Sequence, residues 1–154
     1  MRIVLSLMSR LTIYVTSILR GSRKRGREVN YKFTIPGRLP GINEYTQACR
    51  SNPFVGSKMK KDAEKAVMCA TNIGLMIDRP VFIYYRFYEK NKRRDLDNIS
   101  GFAHKVIQDA LVKNGILEND GWANITGFDD SFFIDKEHPR IELTIHEVRD
   151  VRDS

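Results

Sequence analysis

Residues 80–89, PVFIYYRFYE, restrict the fold of this chain more than any other segment. β-Branched and aromatic side chains fill the run, which suits a pleated, partly buried strand. The pattern then changes period. Ile99, Phe102, Val106, Ala110 and Leu111, with Ala103 and Ile107 beside them, recur at three and four, predicting a helix over about 98–114 that Gly115 closes. A strand feeding a helix of that length predicts a sheet with helices packed on it.

The flanking segments extend this plan. YKFTI (31–35) alternates and stops at Pro36, as a strand does. PGRLPGINEYTQACRSNPFVG reads as a loop, and a structureless connection of that length is uncommon unless it binds something. Ser57 is placed to cap an amphipathic helix over KMKKDAEKAVMCATNIGLM. That puts Lys58, Lys60 and Lys61 in its first turn, where cations are unfavourable unless an anion or solvent relieves them. ITGFDDSFFID and RIELTIHEV (140–148) read as two more strands, paired as a hairpin across KEHP. The expectation is an α+β domain over 29–148, a small mixed sheet with two helices on it, flanked by a 149–154 tail.

Charge is unevenly spread. Residues 1–28 carry seven basic side chains against one acid, Glu28, while the remaining 126 residues hold 19 basic and 18 acidic groups. The net +7 therefore says little about the domain itself, and local clusters matter more. Arg10 and Arg20 break the apolar start, MRIVLSLMSRLTIYVTSILRG, into blocks too short to span a membrane. No convincing signal cleavage site follows. The segment reads as a basic, apolar extension without a catalytic role, lying upstream of the domain proper. Cys49 and Cys69 have no metal spacing and read as free thiols of a cytoplasmic protein, one of them buried.

The chemistry concentrates in KRRDLDN, 92–98. In an extended segment Asp95 and Asp97 would point the same way, with Leu96 turned into the core, offering two carboxylates to a hard cation. Equally, Asp97 would serve as the N-cap of the following helix, with Asp95 neutralised by Arg93 or Arg94. ENDGW supplies a second acidic group, Asp120, just beyond the helix; N-D-G is also a good turn. KNKRR (90–94), KMKK (58–61), Arg38 and Arg50 are candidate phosphate contacts flanking the acids, and otherwise solvated faces. Tyr45, Phe54 and Trp122 are aromatics available for stacking on bases or for packing. His104, His138 and His146 are scattered and read as surface or strand-edge residues.

RRDLDN followed by KVIQDALVKNGILENDGW resembles the RusA-type Holliday-junction resolvases, many of them phage- or prophage-encoded. The resemblance extends to PGRLPGINEY and RIELTIHE and covers roughly residues 30–148. It implies a RusA-like fold, a homodimer, and a magnesium-dependent endodeoxyribonuclease acting on branched DNA, the four-way junction, in recombination and repair. Carried over by motif, Asp95, Asp97 and Asp120 would bind magnesium. Lys105 stands four residues before Asp109, as the family lysine stands before its D-A-L aspartate. It also lies four residues further from Asp97 than in the family pattern, where counting from Asp97 gives Gly101. A cation from Arg93, Arg94 or the 58–61 cluster is the alternative. The DNA contacts expected are Lys58, Lys60, Lys61, Lys92, Arg93, Arg94, Arg50 and Tyr45. A DNA-binding module without catalysis, and an anionic-surface protein built on residues 1–27, are the other classes the sequence leaves open.

Overall fold

The structure is a computed structural model and describes residues 29–148. The elements are β1 (Asn30–Pro36), α1 (Ile42–Ser51), α2 (Pro53–Thr71), β2 (Val81–Glu89), α3 (Leu96–Lys113), β3 (Ile125–Ile134) and β4 (Arg140–Glu147). The extension and tail expected at 1–28 and 149–154 lie outside the described residues. The architecture is α+β, a four-stranded mixed sheet, but with three helices rather than two.

β2 is the strand that its composition predicts, and it lies inside the sheet between β4 and β3. Its alternate residues Val81, Ile83, Tyr85 and Phe87 are all buried, whereas Tyr84 and Arg86 face outward. Those inward side chains join Phe33, Ile35, Leu143 and Ile145 of the neighbouring strands, Ala63 and Val67 of α2, and the apolar stripe of α3 in one core. Lys32, Tyr84 and Arg86 lie on the opposite, exposed sheet face.

The strand order is β1-β4-β2-β3, with β2 parallel to β3 and β4 antiparallel to both β1 and β2. The expected β3–β4 hairpin is therefore not formed. β3 reaches β2 through the α3 crossover, which makes the pair parallel. The short link 135–139 then steps over the end of β2, held by the Asp135 N–H donating to Glu89 O at 2.8 Å. Five residues can reach roughly 17 Å, more than the ~10 Å needed to cross one intervening strand. A turn sequence of that length does not by itself specify a hairpin.

The segment 36–56 is not structureless either: it contains all of α1 and the start of α2. Asn52, not Ser57, caps α2, its Oδ1 accepting the Phe54 N–H at 2.9 Å ahead of Pro53 at the first helical position. Lys58, Lys60 and Lys61 consequently sit beyond the first turn, where the helix dipole has largely faded. α1 begins after Gly41, which has no side chain to cap it; Asn98 of α3 does so instead, accepting the Asn43 N–H at 3.0 Å. A Cβ at position 41 would meet Asn98 Oδ1 at 2.5 Å. Gly41→Ala should therefore lower the stability by about 1–3 kcal/mol, read from denaturant midpoints, and by markedly less in an Asn98→Ala background, where the clash is gone.

α3 ends as its glycine predicts. Gly115 has φ +70, its N–H donates to Val112 O and the Ile116 N–H donates to Leu111 O, both at 2.9 Å. Ile116 and Leu117 are thereby turned into the core, and the chain leaves toward Asp120. Among the described residues no helix is long and apolar enough to cross a membrane.

Candidate active site

The D-x-D pair stands where β2 has ended and α3 begins. Asp95 occupies the N-cap position with extended backbone (φ −69, ψ 155), but its side chain makes no capping bond. Asp97 is already in the first helical turn. The alternation expected of an extended segment therefore does not apply, and Leu96 points outward, 57% exposed, instead of into the core. Both carboxylates are exposed, and neither has a hydrogen-bond or ion-pair partner among the described residues. Placing acids at this end of a helix is favourable, since the N-terminal dipole is positive.

Of the cations beside the pair, Arg94 is not available to DNA. It is nearly buried, its Nη2 2.5 Å from Glu89 Oε1, its Nε 3.3 Å from Glu89 Oε2, and its Nη1 donating to Leu39 O at 3.0 Å. It acts as a clamp between β2 and the β1–α1 loop, because a buried Glu89 needs a charged partner. Lys92 and Arg93 remain exposed, as do Lys61 and Arg50, with no ion-pair partner among the described residues. Lys58 pairs with Asp62 at 2.5 Å on the surface.

A chain of charges runs along α3 that the sequence pattern did not reveal. Lys105 Nζ lies 2.8 Å from Asp109 Oδ1 and 3.1 Å from Asp120 Oδ2. Lys60 Nζ lies 2.8 Å from Asp109 Oδ2 and 3.4 Å from Glu64 Oε1, and Lys113 closes the chain on Glu64 Oε2. Lys60 is thus an ion-pair bridge between α2 and α3 rather than a free phosphate contact. The i,i+4 spacings of Lys60 with Glu64 and of Lys105 with Asp109 are visible in the sequence, but the cross-links between helices are not. Burial pushes the Asp109 carboxyl up, but the Lys105 and Lys60 ammonium groups outweigh it and hold Asp109 below the ordinary value of 3.8. A depressed folded value contributes stability above pH 3.8 that disappears as pH falls through the folded value. Asp109→Asn should therefore be less stable than wild type by about 1–2 kcal/mol at pH 7, a gap that closes toward pH 3 when thermal melts are compared.

The charge chain decides where Asp120 stands. Its carboxylate is engaged by Lys105, eight residues along α3 from Asp97, or roughly 12 Å along the helix axis. Among the described residues no three His, Cys, Asp or Glu side chains are gathered into a set that could hold one metal ion. Asp120, expected with Asp95 and Asp97, is paired with Lys105 here; a magnesium ion takes one or two carboxylates and fills its remaining positions with water and phosphate oxygens.

Three aromatic expectations resolve differently. Tyr45 packs on Phe102 with ring centroids 4.6 Å apart, so its ring is occupied within the protein. Phe54 is 84% exposed and Trp122 is 98% exposed, on the turn that carries Asp120. His104 is no surface residue: its Nε2 lies 2.8 Å from Asp130 Oδ1, with Tyr85 and Phe128 around its ring. The parallel β2–β3 pairing creates that contact, and a hairpin reading hid it. Neither cysteine is fully buried; Cys49 is half-buried and Cys69 exposed. No family model matches the chain, nor does any curated protein.

Proposed function

We propose that this chain is a magnesium-dependent endodeoxyribonuclease that cleaves branched DNA, the four-way junction in particular. The observation that carries the reading is the pair of exposed, unpartnered carboxylates, Asp95 and Asp97, at the start of α3 with Lys92 and Arg93 beside them. Carboxylates with neither a cap bond nor an ion pair are available for a hard cation, and the exposed cations suit a phosphate backbone. The resemblance of RRDLDN and the following helix to the RusA-type resolvases supports the same reading.

Asp95 and Asp97 would hold the ion, which when bound polarises a phosphodiester and lowers the pKa of a water. The chain's own part is to orient the backbone through Lys92, Arg93, Lys61 and Arg50. Trp122, exposed beside Asp120, is placed to stack on an unpaired base at the branch. A junction offers two equivalent strands, so a two-fold homodimer is the matching catalyst.

A second reading is favoured by one specific observation. Asp120 is held by Lys105, away from the D-x-D pair, which suits a branched-DNA-binding module without catalysis. Incubating the purified protein with a synthetic four-way junction and magnesium separates the two. Paired nicks that EDTA suppresses are expected; binding without nicks at any magnesium concentration would leave only the binding module.

A further inference from the structure

The helices pack on one face of the sheet, and no element among the described residues covers the other. A sheet packed on one side normally turns polar side chains to the other. β2 instead turns Phe82, Tyr84 and Tyr88 there, with Arg86 between them. Two of these rings are occupied within the protein. Phe82 lies over Gly127, where a Cβ would meet its ring at 2.8 Å, and the Arg140 guanidinium sits 3.8 Å from the centroid of Tyr88. Tyr84 leans on Phe82, with ring centroids 4.9 Å apart, and is otherwise open, 42% exposed.

Cations flank that open ring. The strand register puts Lys32 in the same row as Tyr84, across Thr144, and Arg86 follows two residues along β2. Both are exposed and have no ion-pair partner among the described residues. Of the carboxylates that β3 and β4 turn to this face, Glu142 is taken by Arg140 at 2.8 Å, which leaves Asp129 opposite Tyr84. Two free cations against one carboxylate make the surroundings of Tyr84 net positive. A two-fold contact with a second copy would bury Lys32 and Arg86 with only Asp129 to neutralise them, and interface cores are poor in charge. An open ring flanked by free cations is what single-stranded nucleic acid uses, bases stacking on the ring and phosphates meeting the cations.

We infer that this face binds single-stranded DNA, a base stacking on Tyr84 and the neighbouring phosphates meeting Lys32 and Arg86. The surface is separate from the D-x-D pair, which stands beyond the end of β2 at the start of α3. The choice of DNA rests on the proposed action on branched DNA, where the occupant is an unpaired arm.

The test is the fluorescence anisotropy of a labelled oligothymidylate titrated with the full chain in EDTA. Tyr84→Ala should weaken binding by about five- to a hundredfold, the value of one stacked base. Tyr84→Phe, which keeps the ring, should bind like wild type. On an abasic strand of the same length, Tyr84→Ala and wild type should bind equally, because there is no base to stack. Arg86→Ala should weaken binding by about two- to fivefold, the scale of an exposed charge contact, and flatten the slope of log affinity against log salt by about 0.7. Wild-type affinity in Tyr84→Ala, or an equal loss on the abasic strand, overturns the inference. So does a fall in the sedimented mass of Tyr84→Ala, which assigns the ring to a second copy of the chain. Tighter, Tyr84-dependent binding of oligouridylate overturns it in favour of RNA. Neither metal nor cleavage enters the measurement, so an inactive nuclease would leave the face standing and an active one would not rescue it.

Discussion

Asp97→Asn should lower magnesium-dependent cleavage of a four-way junction by about a thousandfold, the several kcal/mol that a metal contributes to a charged transition state. Asp95→Asn should do the same. The folded state gives neither change a structural excuse, because both carboxylates are exposed and make no described hydrogen bond or ion pair. Asn caps a helix as well as Asp, so denaturant midpoints of both variants should match wild type within about 0.5 kcal/mol. Junction affinity, read by gel shift in calcium, should hold or rise as a negative charge leaves the phosphate path. Undiminished cleavage by either variant sinks the metal role of that residue. Loss of cleavage together with loss of folding would assign it to structure instead.

How far the sequence could have led is best seen element by element. β2 and α3 were legible because their periodicities are long and their buried faces are set by one core. The Gly115 cap was legible because only a residue tolerant of positive φ ends a helix that way. α1 was hidden: its start lacks a capping side chain of its own, and Asn98, 55 residues away, supplies the acceptor. The β3–β4 hairpin was misread because a five-residue link can also step over a strand, and only the α3 crossover settles which neighbour β3 takes. The conformation of the D-x-D pair was not legible: Asp95 is at the cap position, so the helix begins at Leu96, two residues before the expected start near 98. Arg94 looked like part of a basic patch because nothing local shows that Glu89, facing the core from the end of β2, requires it. What the sequence could not show is consistently pairing across elements, the same reason that Asp120 was expected beside the aspartates and is found on Lys105.

That placement makes Asp120→Asn the most informative change after the D-x-D pair. If Asp120 completes the metal site, it must leave Lys105 to do so, and the variant should cut about a hundredfold more slowly. Lys105 then competes with the ion for one carboxylate across 3.1 Å. Lys105→Ala should accordingly lower the magnesium concentration for half-maximal cleavage by about two- to fivefold, the scale of an exposed ion pair, while its maximal rate falls if the ammonium also steadies phosphate charge. Combining the two substitutions should erase the magnesium shift, because the competitor and its target are both gone. If instead Asp120 only anchors Lys105 to the 118–124 turn, Asp120→Asn cuts at nearly the wild-type rate and Lys105→Ala leaves the magnesium midpoint in place. The ion would then rest on Asp95 and Asp97 alone. The position of Lys105, flanked by Asp109 and Asp120, argues for the competitive arrangement: with Asp109 still bonded, the ammonium keeps one partner when Asp120 departs, so surrendering it costs little.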